Sequence, residues 1–247
     1  MMRKLLTVTA AMLLVAAAGF AQATIATGPH DFSAGSAIRN SNATINGQTC
    51  VFCHTPHGAN LSSSAPLWNR NNVTSTYQVY TSSTMDAAAP SSAEIRGSVS
   101  GACMSCHDGS IAVDVLVNVN GQAFGPAVAF AVQGTAKATY GNVAPGSNNL
   151  MTGGIPAMGT DLRNDHPITI IYQTARLATP TEFVTETVLG SKIYVPAGTG
   201  DLPLYGAAAA TATVECGSCH NPHNNTQGSF LRKSNAGSDI CLTCHIK

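Results

Sequence analysis

The sequence predicts a mostly irregular chain, with short helices at repeated cysteine motifs and a few short β-strands, organised by something other than a conventional apolar core. Three observations lead there. Only 10% of the 247 residues are charged and 6% aromatic, while Gly, Ala, Ser, Thr and Asn are abundant. Apolar residues show little sustained helical or strand periodicity. All eight cysteines fall into four copies of one frame, and none lies outside it.

The N-terminus sets the compartment. Met1–Lys4 is basic through Arg3 and Lys4, Leu5 to Phe20 is apolar and Ala-rich, and Ala21-Gln22-Ala23 supplies small residues before a cleavage point. This is the layout of a cleavable export signal, residues 1–23. The apolar run is short for a span of about 20 residues, so an uncleaved anchor is the weaker reading. The mature chain, 24–247, is expected to be exported as a single domain without a membrane span. Removing Arg3 and Lys4 leaves ten basic against twelve acidic residues, a net charge near −2. No basic stripe suggests nucleic acid.

The four frames are Cys50-x-x-Cys53-His54, Cys103-x-x-Cys106-His107, Cys216-x-x-Cys219-His220 and Cys241-x-x-Cys244-His245. C-x-x-C-H is the attachment motif of c-type haem. Two thiols add across the two vinyl groups of the porphyrin, and the adjacent imidazole reaches the iron. Disulfides would fit an exported chain with an even cysteine count, and paired C-x-x-C units could bind zinc. Both leave the histidine after every second cysteine without a purpose. Four haem c groups are the expected cofactors.

Eight histidines are present, four of them inside the motifs. The others are His30, His57, His166 and His223, the number that four six-coordinate irons still require. Methionine is the rival ligand; Met85, Met151 and Met158 are available, and Met104 sits badly between two attachment cysteines. Bis-histidine ligation is expected throughout. His57 follows His54 by three residues, and His223 follows His220 likewise. Axial nitrogens face each other across a haem at roughly 4 Å if metal–imidazole bonds are near 2 Å. Residues three apart on a helical turn point the same way. Each +3 histidine must therefore serve a different haem from its neighbour. Pro56 and Pro222 stiffen the chain between the two.

The order of ligands repeats: a histidine, C-x-x-C-H-x-P-H, then C-x-x-C-H. Haem-pair modules are expected at 24–110 and 160–247. Spacing alone suggests His54 with His30, His107 with His57, His220 with His166 and His245 with His223. Ile111–Val119, Thr169–Tyr172 and Glu182–Val195 carry β-branched runs and are expected to form strands or hairpins. Arg70, Arg163, Arg232 and Lys233 are candidates to pair with haem propionates. With so little apolar side-chain area, the haem-free chain is expected not to fold.

With the motifs placed, the sequence resembles multihaem c-type cytochromes of metal-reducing bacteria, in particular the OmcE-type tetrahaem cytochromes that polymerise into extracellular filaments. The matching stretches are PHDFS (29–33), CVFCHTPH with PLWNR (66–70), CMSCHDGS, NDHPI (164–168), CGSCHNPH and NAGSDICLTCHIK. The resemblance implies haems in stacked pairs, pairs meeting near right angles, and one distal histidine supplied by an adjacent subunit. His30, close to the mature N-terminus, is the candidate. A head-to-tail contact of that kind need not close and makes an open filament.

The expected function is electron transfer without catalysis, because filled axial positions leave no iron open to substrate. Expected partners are redox cytochromes, further copies of the chain, and an extracellular acceptor such as a metal oxide. The expected location is outside the cell or on its surface. The alternatives are a soluble periplasmic or cell-surface shuttle and, further off, a multihaem reductase.

Overall fold

The structure, a computed structural model, describes residues 25, 28–32, 48–113, 115–119, 122–123, 150–151, 156–198 and 200–247. The expected export signal lies outside the described residues. Regular structure comes in short pieces: helices α1 (Ser92–Gly97), α2 (Val99–His107), α3 (Tyr172–Ala178), α4 (Cys216–Cys219) and α5 (Cys241–Cys244), and a 3-10 turn at Cys50–Phe52. The strands are β1 (Gln78–Val79), β2 (Asn118–Val119), β3 (Gln122–Ala123), β4 (Asp161–Leu162), β5 (Ile170–Ile171), β6 (Thr187–Leu189), β7 (Lys192–Val195), β8 (Leu202–Leu204) and β9 (Thr213–Val214). β1 pairs parallel with β4; β2–β3 and β5–β9 are antiparallel pairs, and β6–β7–β8 form an antiparallel meander. Among the described residues no helix is long and apolar enough to cross a membrane.

Local chemistry explains these pieces. Ser91 caps α1 by accepting from the Glu94 N–H at 3.2 Å, and Glu94 accepts the Ser91 N–H at 2.6 Å, a reciprocal capping box. Ser98 ends α1 and caps α2, accepting from the Ser100 N–H at 3.1 Å. Gly101 makes that tight join possible, since a Cβ there would lie 2.5 Å from Arg96 O. β6 and β7 are joined by Gly190-Ser191, with Gly190 at a φ of 60°, the glycine-first turn that suits a two-residue hairpin.

Strand expectations hold only in part. Among the described residues of Ile111–Val119 only Asn118–Val119 is strand, because the carbonyls of Ala112 and Val113 are taken by the Arg70 guanidinium. Thr169–Tyr172 gives the short β5, and Tyr172 opens α3 instead. Gln, Ala, Arg and Leu favour that helix, and it ends before Pro180, which disfavours helical backbone at Thr179. In Glu182–Val195 the hairpin occupies only β6 and β7, while Phe183 bridges to His245.

Among the described residues, apolar burial is divided among three small clusters. One gathers Tyr172, Ile193, Val195, Leu204, Ala212 and Val214; a second Phe32, Phe52 and Leu116; a third Val73, Tyr77, Ile95, Met104 and Leu162. Met104 is thus a core residue.

Candidate functional site

Each motif forms a single turn of helix or the end of one. The His54 N–H donates to Cys50 O at 2.9 Å, His220 N–H to Cys216 O at 2.9 Å, and His245 N–H to Cys241 O at 3.0 Å. The turn puts the two cysteines on one face. All eight thiols are free. Beyond the turn the chain leaves extended at His220 and His245. His54 then bridges Trp68, His220 bridges Leu231, and His245 bridges Phe183.

The first and third motifs share a backbone pattern that sequence reasoning missed. Thr55 N–H donates to Leu67 O at 2.9 Å and Asn69 N–H to Cys53 O at 2.9 Å; correspondingly, Asn221 N–H donates to Phe230 O at 2.7 Å and Arg232 N–H to Cys219 O at 2.9 Å. Leu67 and Phe230 both hold a positive φ, 52° and 56°. The available signal is a short apolar run ahead of a polar or basic pair, Leu67-Trp68-Asn69-Arg70 in one place and Phe230-Leu231-Arg232-Lys233 in the other.

Backbone carbonyls fix four of the imidazoles, and those for His54 and His220 lie on the returning segments. His54 Nδ1 donates to Pro66 O at 2.7 Å, His107 Nδ1 to Pro156 O at 2.6 Å, His220 Nδ1 to Ser229 O at 2.8 Å and His166 Nδ1 to Pro167 O at 2.9 Å. A carbonyl only accepts, so Nδ1 carries the hydrogen and Nε2 keeps the lone pair a metal takes. Desolvation, then the nearby His107, lowers the His30 pKa to about 4; desolvation also lowers His107, and desolvation and His166 lower His245. These rings are neutral at neutral pH, the ligating form.

The histidines meet in pairs. Ring centroids are 6.2 Å apart for His30 and His107, 6.0 Å for His54 and His223, and 6.3 Å for His166 and His245. Two imidazoles bound to opposite sides of one metal stand roughly 6 Å apart, given metal–nitrogen bonds near 2 Å. These are not the partners that spacing suggests: His107 replaces His54 opposite His30, and His54 instead meets His223. Among the described residues, no ring faces His57 or His220 at this separation; both are exposed. His30 is half-buried, stacked 4.3 Å from Phe230 as well as facing His107. These neighbours give His30 an in-chain alternative to the haem of an adjacent subunit.

The expected propionate partners are also engaged elsewhere. Arg70, 1% exposed, donates from Nε to Ser105 Oγ at 3.1 Å, from Nη1 to Val113 O at 2.9 Å, and from Nη2 to Ser105 O at 3.1 Å and Ala112 O at 2.8 Å. Arg163 pairs with Asp161 at 2.6 Å, Arg232 Nε donates to Gly217 O at 2.7 Å, and Lys233 pairs with Asp239 at 2.8 Å.

The residues present fit covalent haem. Free thiols lie at the two-residue gap, Nε2 is available on His54, His107 and His220, and three ring pairs stand at a one-metal separation. Trp68, edge-on to His54 at 6.1 Å, has a buried Nε1 without a partner, and a porphyrin carboxylate is an acceptor of the kind it lacks. Desolvation pushes the Cys53 and Cys244 thiols up to about 12. A thioether has no ionisable proton and so suits such a buried position. Among the described residues no three His, Cys, Asp or Glu side chains converge as a bare metal cluster.

Comparison with curated proteins finds no match. The family model for the doubled CXXCH motif matches residues 208–247, which contain the third and fourth motifs. That doubled motif indicates covalently bound c-type haem and points to a multihaem c-type cytochrome with an electron-transfer role.

Proposed function

We propose that the chain carries four c-type haems, each between two histidines, and serves as an electron carrier and not an enzyme. The observation that carries this reading is the set of three histidine pairs at one-metal separation. Cys50, Cys53, Cys103, Cys106, Cys216, Cys219, Cys241 and Cys244 hold the groups covalently. The axial pairs are His107–His30, His54–His223 and His245–His166. His220 takes His57, because the two modules trade their +3 histidines: His54 of the first meets His223 of the second, and the reciprocal exchange is His220 with His57. Haem c at these positions supplies one-electron chemistry at an iron with both axial sites filled.

The chain's own residues order the sites. Cys53 lies within electrostatic range of Cys106, Cys103 of Cys216, and Cys219 of Cys241. Successive motifs are neighbours in space, and the thiols Cys50 and Cys241, in the first and last motifs, are exposed. This supports a path that enters at one motif and leaves at another. Together with the sequence resemblance it favours a subunit of an extracellular conducting filament, built by head-to-tail contacts. Leu242 and Ile246, exposed beside the last motif, offer apolar surface for such a contact. Redox cytochromes would supply electrons, and an extracellular acceptor such as a metal oxide would take them.

The test is negative-stain electron microscopy of haem-loaded protein sheared from cells, with absorption spectra of the same fraction. Filaments with wholly low-spin spectra are expected. Discrete low-spin particles would leave a soluble shuttle, and a high-spin fraction that binds small ligands would replace the carrier by a reductase. His30→Ala should make the haem at Cys103–His107 high-spin; a change at Cys50–His54 instead would restore the pairing suggested by spacing.

A further inference from the structure

Glu215 is a buried ionisable side chain outside the ligand set. It is 1% exposed and immediately precedes Cys216. Its carboxylate accepts from Ser98 Oγ at 2.9 Å, from the Ser100 N–H at 3.3 Å, from Thr169 Oγ1 at 3.2 Å and from Thr213 Oγ1 at 2.6 Å, and closely from Ser100 Oγ. Ser98 and Ser100 belong to the start of α2, which ends in the second motif; Thr169 and Thr213 belong to the second half of the chain. The Ser100 hydroxyl also accepts the Cys216 N–H at 2.9 Å, so its own hydrogen is left for Glu215. A backbone N–H can only donate. This donor set suits an ionised carboxylate, an acceptor-only group. Among the described residues no Lys or Arg forms an ion pair with it.

The same contact joins two attachment points. Cys103 follows Ser100 by one turn of α2, and its thiol lies close enough to that of Cys216 to be pushed up while the Cys216 thiol is pulled down. α2 and α4 therefore touch through Glu215, Ser100 and the two cysteines. A fixed charge there acts on both sites through a medium of low effective dielectric. An added electron on either site is repelled by it, so the charge favours the oxidised form.

We propose that Glu215 is a positioning and tuning residue. It clamps the second and third attachment helices together, and it lowers the reduction potentials of the haems at Cys103–His107 and Cys216–His220. This rests on the four-haem reading above.

The experiment is a spectroelectrochemical titration of full-length, haem-loaded wild type, Glu215→Gln, Glu215→Asp and Thr169→Val, with haem counted by pyridine haemochrome. Glu215→Gln should load four haems and titrate at higher potential over about half of the haem absorbance. Glu215→Asp should stay near wild type. Thr169→Val, which removes a neutral donor and keeps the charge, should not titrate higher. A Glu215→Gln titration that superimposes on wild type overturns the tuning role. If Glu215→Gln yields no loaded protein, a rise in Thr169→Val overturns it, and an unchanged or lower potential upholds it. A wild-type count below four defeats the haem reading instead, independently of Glu215.

Discussion

Arg70 puts a charge to architectural use in a chain with few charges. Its guanidinium satisfies three carbonyls and a hydroxyl, binding the end of α2 at Ser105 and the irregular stretch at Ala112 and Val113 to the segment that returns from the first motif. Each hydrogen bond from a charged donor contributes roughly 1.5–3 kcal/mol, and orphaned buried acceptors cost roughly 1–3 kcal/mol each. Arg70→Ala should therefore destabilise the loaded protein by at least about 3 kcal/mol, read as a fall in unfolding midpoint; an unchanged midpoint would refute this. Arg70→Lys should not rescue it, since an ammonium cannot span the fork. The arginine was visible in the sequence, but not its partner. A planar fork suits a propionate as well as a set of carbonyls, and only the fold decides which it meets. Glu215 was legible in the same limited way, as an acidic residue beside Cys216 in a weakly charged chain.

At the scale of elements, the attachment turns are what the sequence announces best. C-x-x-C-H needs its cysteines one turn apart, and each motif supplies a turn. What packs on those turns was not legible. Tyr205 lies against Gly217, inside the third motif, so closely that a Cβ there would collide with the phenol. Gly217→Ala should cost roughly 1–3 kcal/mol of overpacking and lower the haem count of the purified protein, with Tyr205→Ala restoring it. A full count in the single variant would count against this packing. α3 escaped notice because its first residues continue a β-branched run, while the hairpin was readable from Gly190 between two apolar stretches. The returning strands after the first and third motifs were hidden because their repeat lies in hydrogen bonds and positive φ values, where the sequences differ.

For the whole molecule, the eight candidate ligands could be counted from the sequence, but not matched. Spacing favours partners within a module, because short loops close at low entropic cost. The structure brings His54 to His223 across the two modules, and Glu215 ties Ser98 and Ser100 to Thr169 and Thr213 across the same divide. The two modules thus touch through a histidine pair and a buried carboxylate. A fragment ending at residue 160 should accept covalent haem at its first two motifs yet leave the His54 site high-spin. A fully low-spin fragment would show that the first module suffices.

The pairing of His54 with His223 also bears on biogenesis. Were the chain exported, as its N-terminal sequence leads one to expect, it would cross the membrane from its N-terminus, and the first attachment site would arrive long before the histidine that faces it. The fold around the first motif could then not close until nearly the whole chain had emerged. The compartment must keep a partly furnished, sticky polypeptide from aggregating for that interval. Secretion speed and chaperone supply, more than haem supply, would then limit how much finished protein a cell can make.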